Sequence, residues 1–109
     1  EGGVAMGIGM ALFEKIARQD GRILNPNYAD YLLPGTADVP TEITTFFVDN
    51  NDRSGPYGAK GIAEASIIPT PAAIAAAIHD AVGIWPRRLP MDSEYILGLL
   101  RQRDAAERG

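Results

Sequence analysis

The residues best suited to chemistry lie in one short stretch, Gly55-Pro56-Tyr57-Gly58-Ala59-Lys60-Gly61-Ile62-Ala63-Glu64. Glycine has no side chain, so a glycine-rich loop lets backbone N–H groups approach a polar or anionic ligand closely. The stretch ends in a carboxylate, Glu64, a few residues before a predicted helix. A carboxylate held beside such a loop is a candidate general base.

The neighbours of Glu64 would act on its charge in opposite directions. Ile62, Ala63, Ile67 and Ile68 are apolar and would disfavour the charged carboxylate by removing water from it. A nearby helix N-terminus would favour the charged form. Opposed influences of this kind suit a carboxylate that takes up a proton near neutral pH. A simple capping or dipole interaction is the alternative that residue types alone leave open.

Other motifs in the chain fit known sites poorly. Gly7-Ile8-Gly9 lacks the third glycine and the preceding strand of a dinucleotide-binding fingerprint, so we interpret it as a site of close packing. The acidic run Asp49–Asp52 fails the calcium-loop spacing, because Ser54 stands where glycine belongs and Lys60 where glutamate belongs. It predicts a solvated turn. His79, the only histidine, has no partner of ligand type at i+4 and predicts a surface or helix-facing role.

Composition indicates an ordinary globular sequence and limits its partners. The 109 residues are 46% hydrophobic and 22% charged, and the net charge of −4 argues against binding to nucleic acid or to anionic membranes. No cysteine is present, which excludes a thiolate-bound metal or an iron–sulfur cluster held by this chain. Charges and prolines interrupt the apolar runs before they reach the ~20 residues of a membrane span. Because the chain starts at Glu1 and not at methionine, we expect a fragment, a processed product or one piece of a larger polypeptide.

The pattern of apolar residues predicts a mixed α+β fold with three helices and one or more strands. Apolar residues at i+4 spacing predict a first helix, and β-branched and aromatic residues predict a strand that completes a sheet supplied by the missing part. Three residue patterns mark the helix boundaries. Threonine before proline marks the start of the second helix, glycine after its last apolar residue marks its end, and aspartate marks the start of the closing helix. The predicted elements are a helix over Gly2–Ala17 ended by Asp20-Gly21, a strand over Glu42–Val48, a helix from Thr70-Pro71 to Val82 ended by Gly83, a helix that begins after Asp92, and a frayed tail over Arg101–Gly109.

Four motifs in register resemble one known family. The stretch Gly55–Glu64 with the following Ile67-Ile68-Pro69-Thr70 resembles the C-terminal region of the molybdenum-binding subunit of xanthine dehydrogenase/aldehyde oxidase-type molybdenum hydroxylases. The other matching segments are Glu1–Gly7, Asp30–Pro34 with Asp38–Pro40, and Leu89–Glu94. The resemblance spans about Glu1 to Leu100, so it implies a single partial domain over residues 1–109 that belongs to a molybdenum-cofactor-binding domain.

The resemblance implies a catalytic role for one residue and a cofactor-facing role for six. Glu64 takes the place of the family's general base beside the molybdenum. The backbone of the preceding segment would lie against the molybdenum–pterin cofactor, and no side chain of this chain would ligate the metal. That segment is Gly58, Ala59, Lys60, Gly61, Ile62 and Ala63. The family commonly has glycine where this chain has Ala63, whose methyl group disfavours positive φ.

The resemblance also implies what surrounds the chain. The rest of the molybdenum-binding subunit would complete the domain, and iron–sulfur clusters and FAD would lie on partner domains or subunits. The substrate would be an N-heterocycle or an aldehyde, the location cytoplasmic, and the isolated chain inactive and prone to self-association. Two alternatives stay open: a non-catalytic helical assembly module, and a fragment of a carbon monoxide dehydrogenase-type large subunit.

Overall fold

The first helix, α1, is shorter than its apolar pattern predicts. In the computed structural model, which describes residues 1–109, α1 spans Gly2–Leu12 rather than Gly2–Ala17. The helix ends because Phe13 leaves helical geometry, with φ of −123°. The N–H groups of Phe13 and Glu14 both turn back to the Gly9 carbonyl, at 3.0 and 2.9 Å. Phe13 therefore lies in a turn, and Ile16 and Ala17 lie in the irregular segment that follows it.

A short hairpin follows α1. Strand β1 spans Arg18–Gln19 and pairs antiparallel with β2, Arg22–Ile23. Asp20 and Gly21 between them both have positive φ, 48° and 77°, as a two-residue hairpin turn of the mirror-image type requires. Aspartate–glycine is a strong signal for such a turn, and the sequence prediction used it only as the end of a helix.

The strand predicted over Glu42–Val48 is not formed within this chain. The segment is extended but has no neighbouring strand, and residues 39–49 make no backbone hydrogen bond. Phe46 is 83% exposed and Val48 is 87% exposed. The prediction was wrong for the isolated chain because β-propensity describes the residue, whereas a strand also needs a partner to accept and donate its hydrogen bonds.

The second helix, α2, spans Pro69–Val82. It begins one to two residues before the predicted start at Thr70-Pro71, with Pro69 at the first helical position. Its predicted end is confirmed: Gly83 adopts the left-handed conformation with φ of 71°, and its N–H donates to the His79 carbonyl at 2.7 Å.

The third helix, α3, spans Ser93–Glu107 and begins as predicted after Asp92. The Asp92 carboxylate accepts a hydrogen bond from the Tyr95 N–H at 2.8 Å, which satisfies one free amide of the first turn. The frayed tail predicted from Arg101 is instead helical through Glu107. Arg103 explains part of this order, because its Nη1 donates to the Val82 carbonyl at 2.6 Å and connects α3 to the end of α2.

The small core lies where the segment after α2 crosses the C-terminal half of α1. The Met91 N–H donates to the Ala11 carbonyl at 2.6 Å, and Ile8, Ile84 and Met91 are buried around this point. Only 8 of 109 residues are buried, and the radius of gyration is 18.0 Å, against about 13 Å for a compact domain of this length. The predicted α+β class with three helices is confirmed, yet most of its apolar surface is open.

One helical run is apolar enough to span a membrane by length and composition alone. It covers Glu64–Val82, 19 residues with a mean hydropathy of 1.3, so the expectation that no apolar run was long enough was wrong on this criterion. The α-helix within it has 14 residues and is about 21 Å long, shorter than the ~30 Å hydrocarbon core of a bilayer. It packs against α1.

The loop after the hairpin is fastened to the end of α1 by one hydrogen bond with a testable pH dependence. The Tyr31 hydroxyl donates to the Glu14 carboxylate at 2.5 Å. This bond raises the pKa of Tyr31 above the ordinary tyrosine value of about 10. Since the folded pKa exceeds the unfolded one, the contribution to stability is complete below about pH 10 and is lost as pH rises through the folded value.

We expect the substitution Tyr31→Phe to remove the last step of an ultraviolet titration of tyrosinate in the folded protein. Tyr57→Phe is the matched control, because the Tyr57 side chain is fully exposed and is not among the groups that raise the pKa of Tyr31. It should leave that last step in place. A titration in which Tyr31→Phe leaves the last step unchanged would contradict the assignment.

Candidate functional site

The glycine-rich loop begins with a tight turn that two of its glycines make possible. Pro56–Gly58 form a single 3₁₀ turn in which Tyr57 and Gly58 both have positive φ, 54° and 78°. A Cβ on Gly55 would overlap the Ala59 carbonyl, and one on Gly58 would lie 2.5 Å from the Asn51 side-chain oxygen. Gly55 and Gly58 are therefore required by the loop's own conformation, whatever ligand it binds.

The second half of the loop is open. The backbone N–H groups of Lys60, Gly61, Ile62 and Ala63 donate no hydrogen bond within the chain. All four residues are exposed, and nothing lies within 4 Å of where a Cβ on Gly61 would stand. These four consecutive N–H groups can therefore donate hydrogen bonds to a ligand or to another part of the protein.

Glu64 lies at the start of a second 3₁₀ turn, Glu64–Ser66, directly after these amides. Its carbonyl accepts the Ile67 N–H at 3.0 Å, but its carboxylate makes no hydrogen bond or ion pair. The expected desolvation by apolar neighbours is not provided by this chain, because Ile62 and Ala63 are exposed along with Glu64. The carboxylate is free to act on a group supplied from outside the chain.

Contacts with α1 position the turn that carries Glu64. A Cβ on Gly3 would overlap the Ser66 Oγ, and a Cβ on Gly7 would lie 2.5 Å from the Thr70 Cβ. The Thr70 hydroxyl donates to the Ser66 carbonyl at 2.8 Å, which fastens the turn to the start of α2. Sequence reasoning assigned close packing to the glycines without naming these partners. The signal was present in the matching four-residue spacings, Gly3 to Gly7 and Ser66 to Thr70.

A groove of about 600 Å³ joins the loop to the unpaired extended segment. Lys60, Gly61 and Ile62 line one side of it, and the other side is formed by residues 47–50. The turn predicted over the acidic run Asp49–Asp52 instead follows it, at Arg53–Ser54. Asp52 begins this turn, and its carboxylate accepts hydrogen bonds from the backbone N–H and the hydroxyl of Ser54, which hold the pKa of Asp52 below its usual value. The chain has no cluster of three or more acidic, histidine or cysteine side chains placed to hold a metal ion.

The remaining motifs have packing roles. Gly7 faces Thr70, and Gly9 faces Glu14 and Pro34, which confirms close packing for Gly7-Ile8-Gly9. His79 stacks on Trp85 with ring centroids 4.1 Å apart and an angle of 15° between the rings. His79 therefore packs against the segment that follows α2, whereas the sequence predicted a surface or helix-facing role.

Comparison with known proteins places the N-terminal third of the chain in a recognised family. Residues 1–40 match the family described as a molybdopterin cofactor-binding domain. The chain is 38% identical over 97 residues to one subunit of a probable xanthine dehydrogenase of Bacillus subtilis, covering 89% of the chain and 13% of the relative. It is 37% identical over 101 residues to the aldehyde oxidoreductase molybdenum-binding subunit of Escherichia coli, covering 91% and 14%.

A solved structure agrees with these matches in both sequence and fold. Quinoline 2-oxidoreductase from Pseudomonas putida 86 superposes with a TM-score of 0.82 at 30% identity, over 93% of this chain and 13% of the other. The chain thus has the fold of a molybdopterin-binding segment. It belongs to the xanthine dehydrogenase/aldehyde oxidase family of molybdenum hydroxylases, as the sequence predicted, and spans about 13% of the length of the curated relatives it matches.

We expect the two halves of the loop to respond differently to an added methyl group. Gly58→Ala should destabilise the tight turn by about 1 kcal/mol, because alanine is strained at positive φ and its Cβ would meet Asn51. Gly61→Ala should leave the loop's conformation unchanged, since its Cβ enters open space. Amide hydrogen exchange of residues 55–63 measures both effects. Equal exchange in the two variants would contradict the distinction.

Proposed function

We propose that this chain supplies the general base and a cofactor-facing loop to a molybdopterin-dependent hydroxylase. The observation that supports it is the juxtaposition of the unpartnered Glu64 carboxylate with the free amides of Lys60–Ala63. Family membership gives this juxtaposition a chemical context, because the matched relatives include molybdenum-binding subunits.

The loop fits a polar cofactor on its own geometry. Its four free N–H groups can donate to oxygen atoms of a ligand, and the open space at Gly61 lets a flat group approach the backbone. Ala63 has φ of −63°, which alanine adopts without strain, so the methyl group that replaces the family's usual glycine does not distort the loop. Gly58, Ala59, Lys60, Gly61, Ile62 and Ala63 are the proposed cofactor-facing residues, with no side chain ligating the metal.

Within this proposal the chain's own residues position groups and move a proton. The bound molybdenum–pterin group would supply the redox chemistry that hydroxylates an electron-poor carbon, with electrons leaving through iron–sulfur and flavin centres on partners. The Glu64 carboxylate accepts the proton that this reaction releases. Because no basic side chain pairs with it in this chain, both of its oxygens are available for that transfer.

The substrate proposed is an N-heterocycle or an aldehyde. The names of the relatives support this class: one matched structure is a quinoline 2-oxidoreductase, and one matched subunit belongs to an aldehyde oxidoreductase. The chain covers a small share of either protein, so we propose that it is active only as part of a whole subunit with its redox partners, in the cytoplasm.

Replacing the proposed base without changing its shape tests the role of Glu64. In the intact enzyme, Glu64→Gln should lower kcat by about 10²–10⁴-fold, because glutamine cannot accept the proton. Molybdenum content, measured by elemental mass spectrometry, should stay at the wild-type level.

The matched control is Glu94→Gln, which neutralises an exposed glutamate in the first turn of α3. It should leave both kcat and molybdenum content unchanged. Wild-type turnover by the Glu64→Gln enzyme would refute the base assignment. Loss of molybdenum from that variant would indicate a structural role instead.

The remainder of the subunit is the partner proposed for the open apolar surface. Phe46 and Phe47 are neighbours in sequence, so in an extended chain they point to opposite faces, and they are 83% and 76% exposed. A strand that is apolar on both faces is typical of the interior of a sheet covered by other layers on each side. Residues 43–48 would therefore pair between strands that this chain does not contain.

Hydrogen exchange on the intact subunit tests this pairing. The amides of residues 43–48 should exchange at least about 100-fold more slowly than in an unpaired chain. Thr45→Pro should abolish the protection, because proline removes a donor from the strand. Thr36→Pro is the control: Thr36 is the second residue of the turn closed by the bond from the Asp38 N–H to the Gly35 carbonyl, where proline is tolerated. Rapid exchange of residues 43–48 in the wild-type subunit would refute the pairing.

A further inference from the structure

Helix α1 packs closely against the run that begins at Glu64. Gly3 and Gly7 are one helical turn apart and lie on one face of α1. Ser66 and Thr70 have the same spacing and lie against them, so that a Cβ on either glycine would overlap its opposite neighbour. Two pairs in register leave no room for a side chain on the α1 side.

The two contacts differ in how much they can yield. At Gly3 the overlap is with the Ser66 Oγ, which can rotate away, while the Ser66 Cβ would lie at 3.2 Å. At Gly7 the contact is with the Thr70 Cβ at 2.5 Å, whose position does not change with the rotamer. Thr70 is also fixed by its hydrogen bond to the Ser66 carbonyl. Gly7 therefore sets the distance between the two elements, and only a shift of the backbone can relieve an added methyl group.

This distance controls where Glu64 lies. The turn Glu64–Ser66 is joined to α2 through the Ile67 N–H to Glu64 carbonyl bond and the Thr70 hydroxyl to Ser66 carbonyl bond. The carboxylate itself has no hydrogen bond that could hold it. Its location thus depends on the backbone of the turn, and the backbone of the turn depends on contact with α1.

We infer that Gly3 and Gly7 are positioning residues for Glu64, acting through Ser66 and Thr70. This inference rests on the proposed function of Glu64 as the base. Ordinary van der Waals contact requires at least 3.4 Å, so a methyl group at Gly7 would push the start of α2 and the turn away by about 1 Å. A misplacement of that size in a catalytic group can lower a rate about 100-fold.

The test moves the glycine from one side of the contact to the other: Gly7 on α1 is enlarged and the opposing Thr70 is reduced, both in the intact enzyme. Gly7→Ala should lower kcat by about 100-fold, leave KM nearly unchanged and speed the amide exchange of residues 64–70. Thr70→Gly alone removes the opposing Cβ and also the hydroxyl that donates to the Ser66 carbonyl, so its own kcat and exchange are the baseline for the double variant. The double variant Gly7→Ala/Thr70→Gly restores the clearance, so adding Gly7→Ala to Thr70→Gly should lower kcat at least about 10-fold less than adding it to the wild-type enzyme, and should not speed the exchange further.

Gly98→Ala is the matched control, because Gly98 lies within α3 and nothing stands within 4 Å of where its Cβ would be. It should leave kcat and the exchange of residues 64–70 at wild-type values. Wild-type kcat and exchange in Gly7→Ala would overturn the inference. So would a Gly7→Ala defect of the same size with and without Thr70→Gly, since that defect would arise elsewhere.

The readouts separate this inference from the base assignment. If Glu64→Gln keeps wild-type turnover, the proposed function fails, while the exchange data on Gly7→Ala and its double variant still report whether the contact holds the turn. If Glu64→Gln is inactive and Gly7→Ala keeps wild-type turnover and exchange, the base stands and the positioning inference fails. Molybdenum content in each variant identifies a change that acts through cofactor loss.

Discussion

The approach of α1 to the run from Glu64 to Val82 is the contact on which the rest of this chain depends. Four positions without bulky side chains, Gly3 and Gly7 opposite Ser66 and Thr70, bring the two backbones together. Glycine in a helix costs about 1 kcal/mol relative to alanine, and α1 contains several. The cost is offset by packing, because dispersion energy is gained only where atoms are in contact. The glycines of α1 thus favour close packing against the neighbouring run at the expense of the intrinsic stability of the helix.

The same chain leaves most of its other apolar surface uncovered. Eight buried residues cannot supply the hydrophobic stabilisation of a domain, and side chains such as Met6, Phe46 and Val48 remain exposed. Exposure on both faces of the extended segment differs from the one-sided exposure of an ordinary surface strand. A chain that matches 13% of its relatives' length would be expected to share its core with the rest of such a subunit. The open apolar surface and the length comparison therefore both support the proposal that this chain packs within a larger subunit.

How much of this structure the sequence predicted depends on how local each feature is. The Asp92 cap and the Gly83 helix end were predicted correctly because a cap involves residues within one turn of each other. The end of α1 was missed because apolar spacing continues past Leu12 while the chain turns. The strand over Glu42–Val48 was wrongly predicted for the isolated chain, because its residues favour a strand but no neighbouring strand is present to pair with it. For the candidate site, the order of residues and the family resemblance pointed to the loop and Glu64, but the free amides and the Gly7 contact depend on how distant parts of the chain pack.

Glu64, the proposed base, has to be held in place although its carboxylate makes no hydrogen bond or ion pair. Hydrogen bonds or ion pairs to Glu64 would hold its position, but they would occupy the lone pairs that a base needs and would favour its charged form. Placing the residue through its backbone avoids this conflict. The turn is fixed by the Ile67 N–H and by contacts of Ser66 and Thr70 with α1, and the carboxylate stays free. Main-chain placement with an unpaired side chain is the combination that the base role proposed for Glu64 requires.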